Sequence, residues 1–269
     1  MTIEVLSSSH NPKIKDLQKL IESSKERRSR GLFPVEGKRE IMSALASGLK
    51  PLSLFICPEL AAGFDISCVM ADKTYSITES LYSSLAYRGS TEGVIALFEM
   101  RELSLDNIKH GSNPLIIVLE SVEKPGNLGA VLRTADASGA DAVILCDPLT
   151  DMYNPNVIRA SLGGIFTVPC AQGSSKEVFE WLRSRGIKTY AAELNASDWY
   201  HCCDFKSPSA LVMGTESTGL TDFWLERCDR RIKIPMLGKL DSLNVSVSTA
   251  ILCFEAMRQR NFNGLINEK

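Results

Sequence analysis

A chain of 269 residues, 44% hydrophobic and 23% charged, has room for one large globular domain or two modest ones, each with a buried core. No apolar run approaches the ~20 residues that cross a bilayer, and the first ten residues lack the basic-then-apolar pattern of a secretory signal. The formal net charge of −2 carries no overall nucleic-acid signature, and eight cysteines without regular pairing point to reduced thiols and a cytoplasmic location.

The charge is unevenly spread. The first 50 residues hold ten Lys and Arg against six Asp and Glu, which leaves 20 against 26 for the rest. The densest basic run is Lys25, Arg27, Arg28 and Arg30, which reads as a solvated helix end or as a phosphate-contacting patch. Ile14, Leu17, Leu20 and Ile21 recur at helical spacing, so residues 11–28 are expected to form one amphipathic helix. Phe33-Pro-Val follows, then a helix from Lys38 to Ala46 stopped by Gly48, and a strand Leu52–Cys57. A short helix from Thr78 and a buried strand Gly93–Phe98 complete a small α/β unit of residues 1–104.

Residues 105–113 are polar and poorly periodic and read as a linker. From Pro114 strands and helices alternate to the end of the chain. Strands are expected at Leu115–Leu119, Ala142–Cys146, Lys188–Ala192, Ala210–Met213 and Arg231–Ile234. Helices are expected at Leu128–Ser138, Val157–Leu162, Lys176–Ser184, Asp222–Arg227 and Val245–Gln259. This alternation specifies an α/β domain over 114–269, with a mostly parallel sheet covered on both faces.

Three segments stand where strands give way to loops or helices, the usual place for ligands in open α/β sheets. In the first, Asn127 precedes the stripe Leu128, Val131, Leu132 and Ala135, so it is a candidate N-cap, with Gly139 as the C-terminal stop. Arg133 lies more than about 90° from the middle of that stripe and points away from the helix's own core. In the second, the apolar run Leu211-Val-Met ends in Gly214-Thr-Glu216, and Glu216 reads as a helix-capping carboxylate or a ligand contact. In the third, a strand ended by Pro235 leads through Met236–Asp241 into Ser242-Leu-Asn244 and an apolar helix. Ser242 is the candidate N-cap there, and Asn244 is an amide at the start of a buried helix, where packing alone does not account for it.

A dinucleotide-binding βαβ unit is an alternative, with Asp147 at the end of the second strand as its ribose-binding acid. Gly126-Asn-Leu-Gly129 lacks the third glycine and the G-x-G spacing of that unit. His201-Cys202-Cys203 resembles a metal half-site, but no second pair completes four ligands. Trp181, Trp199 and Trp224 are scattered and read as core. Tyr87 and Arg88 are further candidate nucleic-acid contacts in the first domain.

The three segments, N-x-G-x-x-x-R-T-A, M-G-x-E-x-x-G and I-P-M-x-G…S-L-N-V-S-V, together resemble the signature motifs of the SpoU (TrmH) branch of the SPOUT methyltransferases. Asn154-Pro-Asn-Val-Ile-Arg-Ala-Ser161 resembles this family's intervening segment. Val35-Glu-Gly-Lys-Arg and Ser90-Thr-Glu-Gly-Val-Ile-Ala resemble its N-terminal substrate-binding domain, with Thr91-Glu92 replacing the usual Pro-Gln. The resemblance implies methyl transfer from S-adenosylmethionine to a ribose 2′-hydroxyl of RNA, ribosomal rather than transfer RNA by its layout. It implies a homodimer, no metal, and a deep trefoil knot that general connection rules would argue against. It places the cofactor on Gly214, Ile234, Pro235, Met236 and Leu243, and the reaction centre at Asn127, Arg133, Glu216, Ser242 and Asn244. The alternatives of other classes are a Rossmann-type NAD oxidoreductase and an RNA-binding module without catalysis.

Overall fold

The computed structural model describes residues 3–86, 92–196, 198–215 and 217–262. The chain forms two compact units, residues 1–101 with 151–167, and residues 102–150 with 168–269. Tyr87, Arg88, Ser90, Thr91 and Glu216 lie outside the described residues.

The first unit is built on a five-stranded sheet in the order β1-β4-β3-β5-β2. The strands are β1 (Ile3–Leu6), β2 (Leu32–Glu36), β3 (Pro51–Ile56), β4 (Lys73–Ile77) and β5 (Val94–Glu99). β1, β4 and β3 run parallel, and β5 is antiparallel to both β3 and β2. One face packs Leu6, Phe55, Tyr75, Ile77 and Ile95 against Ile14 and Leu17 of α1 (Pro12–Glu22) and Leu81, Tyr82 and Leu85 of α4 (Glu79–Leu85). Near the β2 edge, Phe33 packs against Tyr153 in a tilted pair and stacks on Phe166, with centroids 4.4 and 6.2 Å away. Residues 151–167 therefore belong to this unit through α6 (Pro155–Ser161) and α7 (Gly164–Thr167).

The single helix expected over 11–28 is two helices. Ser23 is extended and serves both, closing α1 and capping α2 (Ser24–Arg30) by accepting Glu26 N–H. The expected phosphate patch also divides there. Arg27 is 2% exposed; its Nε donates to Asp151 Oδ2 at 2.7 Å, and its Nη1 donates to the carbonyls of Leu20 and Ile21. Arg27 is thus a buried tether for the 151–167 segment, and only Lys25, Arg28 and Arg30 face solvent. α3 (Lys38–Ala46) matches its expected bounds.

The second unit holds a seven-stranded sheet, all pairs parallel, in the order β10-β12-β9-β11-β6-β7-β8. Its strands are β6 (Leu115–Glu120), β7 (Ala142–Cys146), β8 (Cys170–Gly173), β9 (Lys188–Ala192), β10 (Asp198–Trp199), β11 (Ser209–Met213) and β12 (Arg230–Lys233). Alternate residues of β6, β7 and β11 serve opposite faces. Ile116, Val118, Ile144 and Val212 meet Val178, Trp181 and Leu182 of α8 (Ser175–Ser184) and Trp224 of α9 (Asp222–Arg227). The opposite face is covered by α5 (Pro125–Ser138) and α10 (Val245–Gln259), which pack on each other. The stretch read as a linker contributes to this unit as well, since Ile108 joins its core and Leu105 packs against it. Of the three tryptophans, Trp181 and Trp224 are core, whereas Trp199 is 42% exposed at the β10 edge with Lys233 Nζ 4.6 Å from its ring centre.

Candidate active site

The carboxyl ends of β9, β11 and β12 open into a cavity of about 380 Å³, within the range of small-molecule sites. It is lined by residues 192–195, 213–215, 217–220, 232–234, 236, 241–243 and by Leu225, Val245 and Ser248. Of the expected cofactor set, Gly214, Ile234, Met236 and Leu243 line it and Pro235 does not; Ser242, expected at the reaction centre, lines it as well. Apolar walls come from Leu194, Leu220, Leu225, Ile232, Ile234 and Leu243.

The loop between β12 and α10 has main-chain groups to offer a ligand. Among the described residues, no N–H or C=O of residues 234–243 bonds to other protein backbone. An apolar slot edged by unspent main-chain donors and acceptors suits a purine ring with a polar tail, so the residues present fit S-adenosylmethionine.

The facing loop is closed on itself. Thr215 and Gly219 exchange both backbone hydrogen bonds at 3.1 Å, and Thr215 Oγ1 accepts Thr218 N–H at 3.0 Å. A Cβ on Gly214 would stand 2.2 Å from the carbonyl carbon of Gly219. Glycine at 214 is therefore required by this internal turn, not only by a ligand's approach. The expected contact Glu216 belongs to this loop but lies outside the described residues.

Asn127 and Asn244 come together, although 117 residues separate them in sequence. Asn244 Nδ2 donates to Asn127 Oδ1 at 3.1 Å. Their local roles differ from those read in the sequence. α5 starts three residues early, with Lys124 as N-cap and Pro125 in its first turn, because proline is well placed there; Asn127 is in that turn, not at the cap. At α10 the cap is Asn244 rather than Ser242: its Oδ1 accepts Ser246 N–H at 2.9 Å, and the residue is exposed rather than buried. Ser242 donates to Asp241 instead. A small recess of about 80 Å³, lined by Val122, Glu123, Lys124, Asn127, Thr215, Ser217 and Val245, adjoins the larger cavity through Thr215, Ser217 and Val245.

Arg133 sits further along α5. It is exposed and makes no hydrogen bond or ion pair among the described residues. Asp147, the acid that a dinucleotide reading would need, accepts from Ser175 N–H and Oγ–H and so anchors α8. Cys202 and Cys203 gather no metal set: no group of three or more His, Cys, Asp or Glu is arranged to hold an ion among the described residues. Burial pushes the thiols of Cys170 and Cys253 up to about 12 and that of Cys146 up as well, which removes them as nucleophiles.

Motif reading missed two things. The cavity wall at 192–195 has no motif, and its only signal is its place at the end of a strand. Glu120 is 2% exposed and accepts both N–H and Oγ–H of Thr221; the signal was an acid closing the otherwise apolar run Leu115–Leu119.

A parallel sheet whose strand ends hold a small-molecule cavity, edged by free main-chain groups and joined to an amide pair, defines an α/β enzyme of the nucleoside-cofactor class. A model of the SpoU rRNA Methylase family matches residues 114–254, and the chain belongs to that family. A model of the MRM3-like substrate binding domain matches residues 11–96. The 23S rRNA (guanosine(2553)-2′-O)-methyltransferase RlmP of Bacillus subtilis is 29% identical over 93% of this chain and 97% of its own. An AdoMet-bound rRNA methyltransferase from Sinorhizobium meliloti superposes with a TM-score of 0.86 at 31% identity, over 95% of this chain and 98% of its own. The SpoU methyltransferase AviRb from Streptomyces viridochromogenes, in complex with AdoMet, gives 0.87 at 28% identity, over 94% and 99%.

Proposed function

We propose that this protein transfers the methyl group of S-adenosylmethionine to a ribose 2′-hydroxyl of ribosomal RNA. The observation that carries the reading is the junction of the 380 Å³ cavity with the recess lined by Asn127, to which Asn244 is hydrogen-bonded, in a chain similar over nearly its whole length to a 23S rRNA 2′-O-methyltransferase. No helix among the described residues is long and apolar enough to cross a membrane, and all eight cysteines are free thiols; we assign the protein to the cytoplasm, with its substrate.

The cofactor supplies an electrophilic sulfonium methyl, and the protein's part is alignment and charge stabilisation. Main chain at 234–243 and 214–220 would hold the nucleoside, with Ile234, Met236 and Leu243 against its apolar surfaces. Asn127 and Asn244 would bind the ribose in the adjoining recess and present its 2′-oxygen. Arg133 is poorly suited to be a base, because a guanidinium stays protonated in a protein. Its role in this reading is to grip an RNA phosphate and stabilise the developing alkoxide. Glu216 and Ser242 complete the expected reaction centre.

The outward aim of Arg133 supports a homodimer in which each site receives groups from a second copy. Leu237, Leu240, Leu243, Val247 and Phe254 expose apolar surface on the 234–244 loop and α10, and a second copy would cover it. We assign the trefoil knot to the passage of the 213–220 and 234–244 segments around the cavity. RNA recognition falls to residues 1–104, and residues 105–113, packed into the core of the second unit, go with the methyltransferase domain 114–269; Lys15, Lys19, Lys25, Arg28 and Arg30 are among the exposed cations on α1 and α2.

The test is incubation with S-adenosylmethionine tritiated at the methyl group and with purified ribosomal or transfer RNA, followed by nucleoside digestion. Label in a 2′-O-methylnucleoside from ribosomal RNA is expected. Label confined to transfer RNA, or to a base, overturns the reading.

A further inference from the structure

The buried carboxyl group of Glu120 has no part in the chemistry above, and its surroundings give it a different task. Glu120 ends β6, the in-register neighbour of β11, where Leu119 pairs with Met213 just before Gly214. At 2% exposure such a group is costly to bury unless donors reach it. Its two close donors come from one residue: Thr221 N–H reaches Oε2 at 2.8 Å and Thr221 Oγ1–H reaches Oε1 at 2.7 Å. Ser175 Oγ lies 3.2 Å from Oε1, but it has one hydrogen and Asp147 Oδ2 is nearer at 2.7 Å. Trp224 Nε1 donates to Ser175 Oγ at 3.1 Å and closes that side of the cluster.

Thr221 itself behaves unusually. It is the N-cap of α9, yet its hydroxyl makes no capping bond to the helix. A threonine there ordinarily turns its oxygen toward the first free N–H groups. Here the hydroxyl is turned to Glu120. Thr221 also ends the loop whose residues 214, 215 and 217–220 line the cavity. The start of that loop is held by the pairing of β11, and its middle by the Thr215–Gly219 exchange. Its far end is held to the sheet by Glu120.

We propose that Glu120 is a positioning residue for the cofactor: its paired hydrogen bonds to Thr221 fix the end of the 214–220 loop against β6 and keep that wall of the cavity in its binding shape. The inference rests on the placement of S-adenosylmethionine in this cavity. Glu120→Gln keeps the size of the side chain but leaves one acceptor oxygen for two donors: when that oxygen meets Thr221 N–H, the amide N–H faces Thr221 Oγ1 and the threonine hydroxyl hydrogen loses its acceptor. Thr221→Val removes one of the two bonds, whereas Thr221→Ser keeps both.

The experiment is calorimetric titration of the full chain with S-adenosylmethionine, alongside steady-state methylation, thermal melting and amide exchange over residues 214–221. The fitted stoichiometry reports the folded fraction of each variant. Glu120→Gln is expected to raise Kd and KM for the cofactor about tenfold, since an unmet buried donor has an effect of that order. Its kcat at saturating cofactor is expected to stay within about threefold, because the reacting groups are untouched. Loop exchange should quicken in step with Kd, and Thr221→Ser should match the wild type. If Glu120→Gln does not fold, Thr221→Val is expected to show the same split at about threefold. Unchanged Kd in a folded variant overturns the proposal, as does a lowered melting temperature with unchanged Kd and loop exchange. Failure of the wild-type chain to bind S-adenosylmethionine would instead overturn the placement of the cofactor.

Discussion

Replacing Asn244 with serine separates two things that the asparagine does at once. Its Oδ1 caps α10 by accepting Ser246 N–H at 2.9 Å and Ser246 Oγ–H at 2.6 Å, while its Nδ2 donates to Asn127 Oδ1 at 3.1 Å. Serine caps helices about as well as asparagine, so the start of α10 should hold. A serine hydroxyl turned to the helix cannot also reach Asn127, so the bridge is lost. That bridge is exposed and its net worth is about 0.5–1.5 kcal/mol, which corresponds to a fall in Tm of a few degrees in a chain of this size. The effect on turnover is expected to be far larger. A reacting group misplaced by about 1 Å costs on the order of a hundredfold in rate, and the bridge holds the Asn127 amide at the recess. Asn244→Ala should match that loss of turnover and forfeit the cap, at about 1 kcal/mol more. Thermal melts and methyl incorporation at saturating cofactor measure both quantities. A serine variant whose turnover stays within about threefold of wild type would refute the role of the bridge. A serine variant as unstable as the alanine one would refute the capping assignment.

Gly214→Ala should abolish cofactor binding in calorimetry through collapse of the loop, because its methyl group would collide with the Gly219 carbonyl; unchanged affinity would contradict the internal-turn reading. Arg133→Lys is expected to lose most turnover and keep cofactor affinity, and near-normal single-turnover methylation would remove Arg133 from the reaction centre. Arg27→Met leaves Asp151 buried without its partner and should destabilise the first unit by about 3–5 kcal/mol in denaturant melts. Lys25→Ala with Arg28→Ala should leave the melts unchanged and reduce the salt slope of RNA binding by about 1–2; the opposite pattern would mean that the buried and solvated cations are wrongly assigned. Burial foremost, with the charge of Glu92, raises the Glu40 carboxyl above its ordinary value, so its stabilising contribution is present below the usual carboxylate range and is lost as pH rises through the raised value. Glu40→Gln should therefore raise Tm at neutral pH and leave it little changed in acid, and a variant less stable at neutral pH would reverse the sign of this argument.

What the sequence showed and what it hid divide along physical lines. β6, β7 and β11 are continuous apolar runs because both faces of their sheet are covered, and such runs are plain in a sequence. β8, beginning at Cys170, and the two-residue β10 are too short for any periodicity to register. β1 and β4 escaped because polar residues interrupt their short runs. The break at Ser23 falls inside an unbroken helical stripe, and the cap that makes it is a local hydrogen bond. Arg27 looked like one more solvated cation in a basic run. Its burial depends on Asp151, 124 positions away, and no local pattern carries that information. In the candidate site, Asn127 and Asn244 from two different motifs are hydrogen-bonded to each other, and Gly214, Ile234, Met236 and Leu243 line one cavity. The capping positions at Lys124 and Asn244 were shifted from those expected because Pro125 moved one helix start and the Asx geometry of Asn244 set the other. Glu120 carried no motif at all, only an out-of-place charge at the end of an apolar strand.

Methylation of a ribose in ribosomal RNA would be seen at once in a map of 2′-O-methyl groups. Resistance of the neighbouring phosphodiester to alkaline cleavage would be read along the ribosomal RNA of cells with and without the gene. A 2′-O-methyl mark is expected that is missing without the gene and is restored by adding the purified protein and S-adenosylmethionine to the deficient RNA, but not by adding its Asn244→Ser variant. An identical map in both strains, together with no mark added by the purified protein, would contradict it.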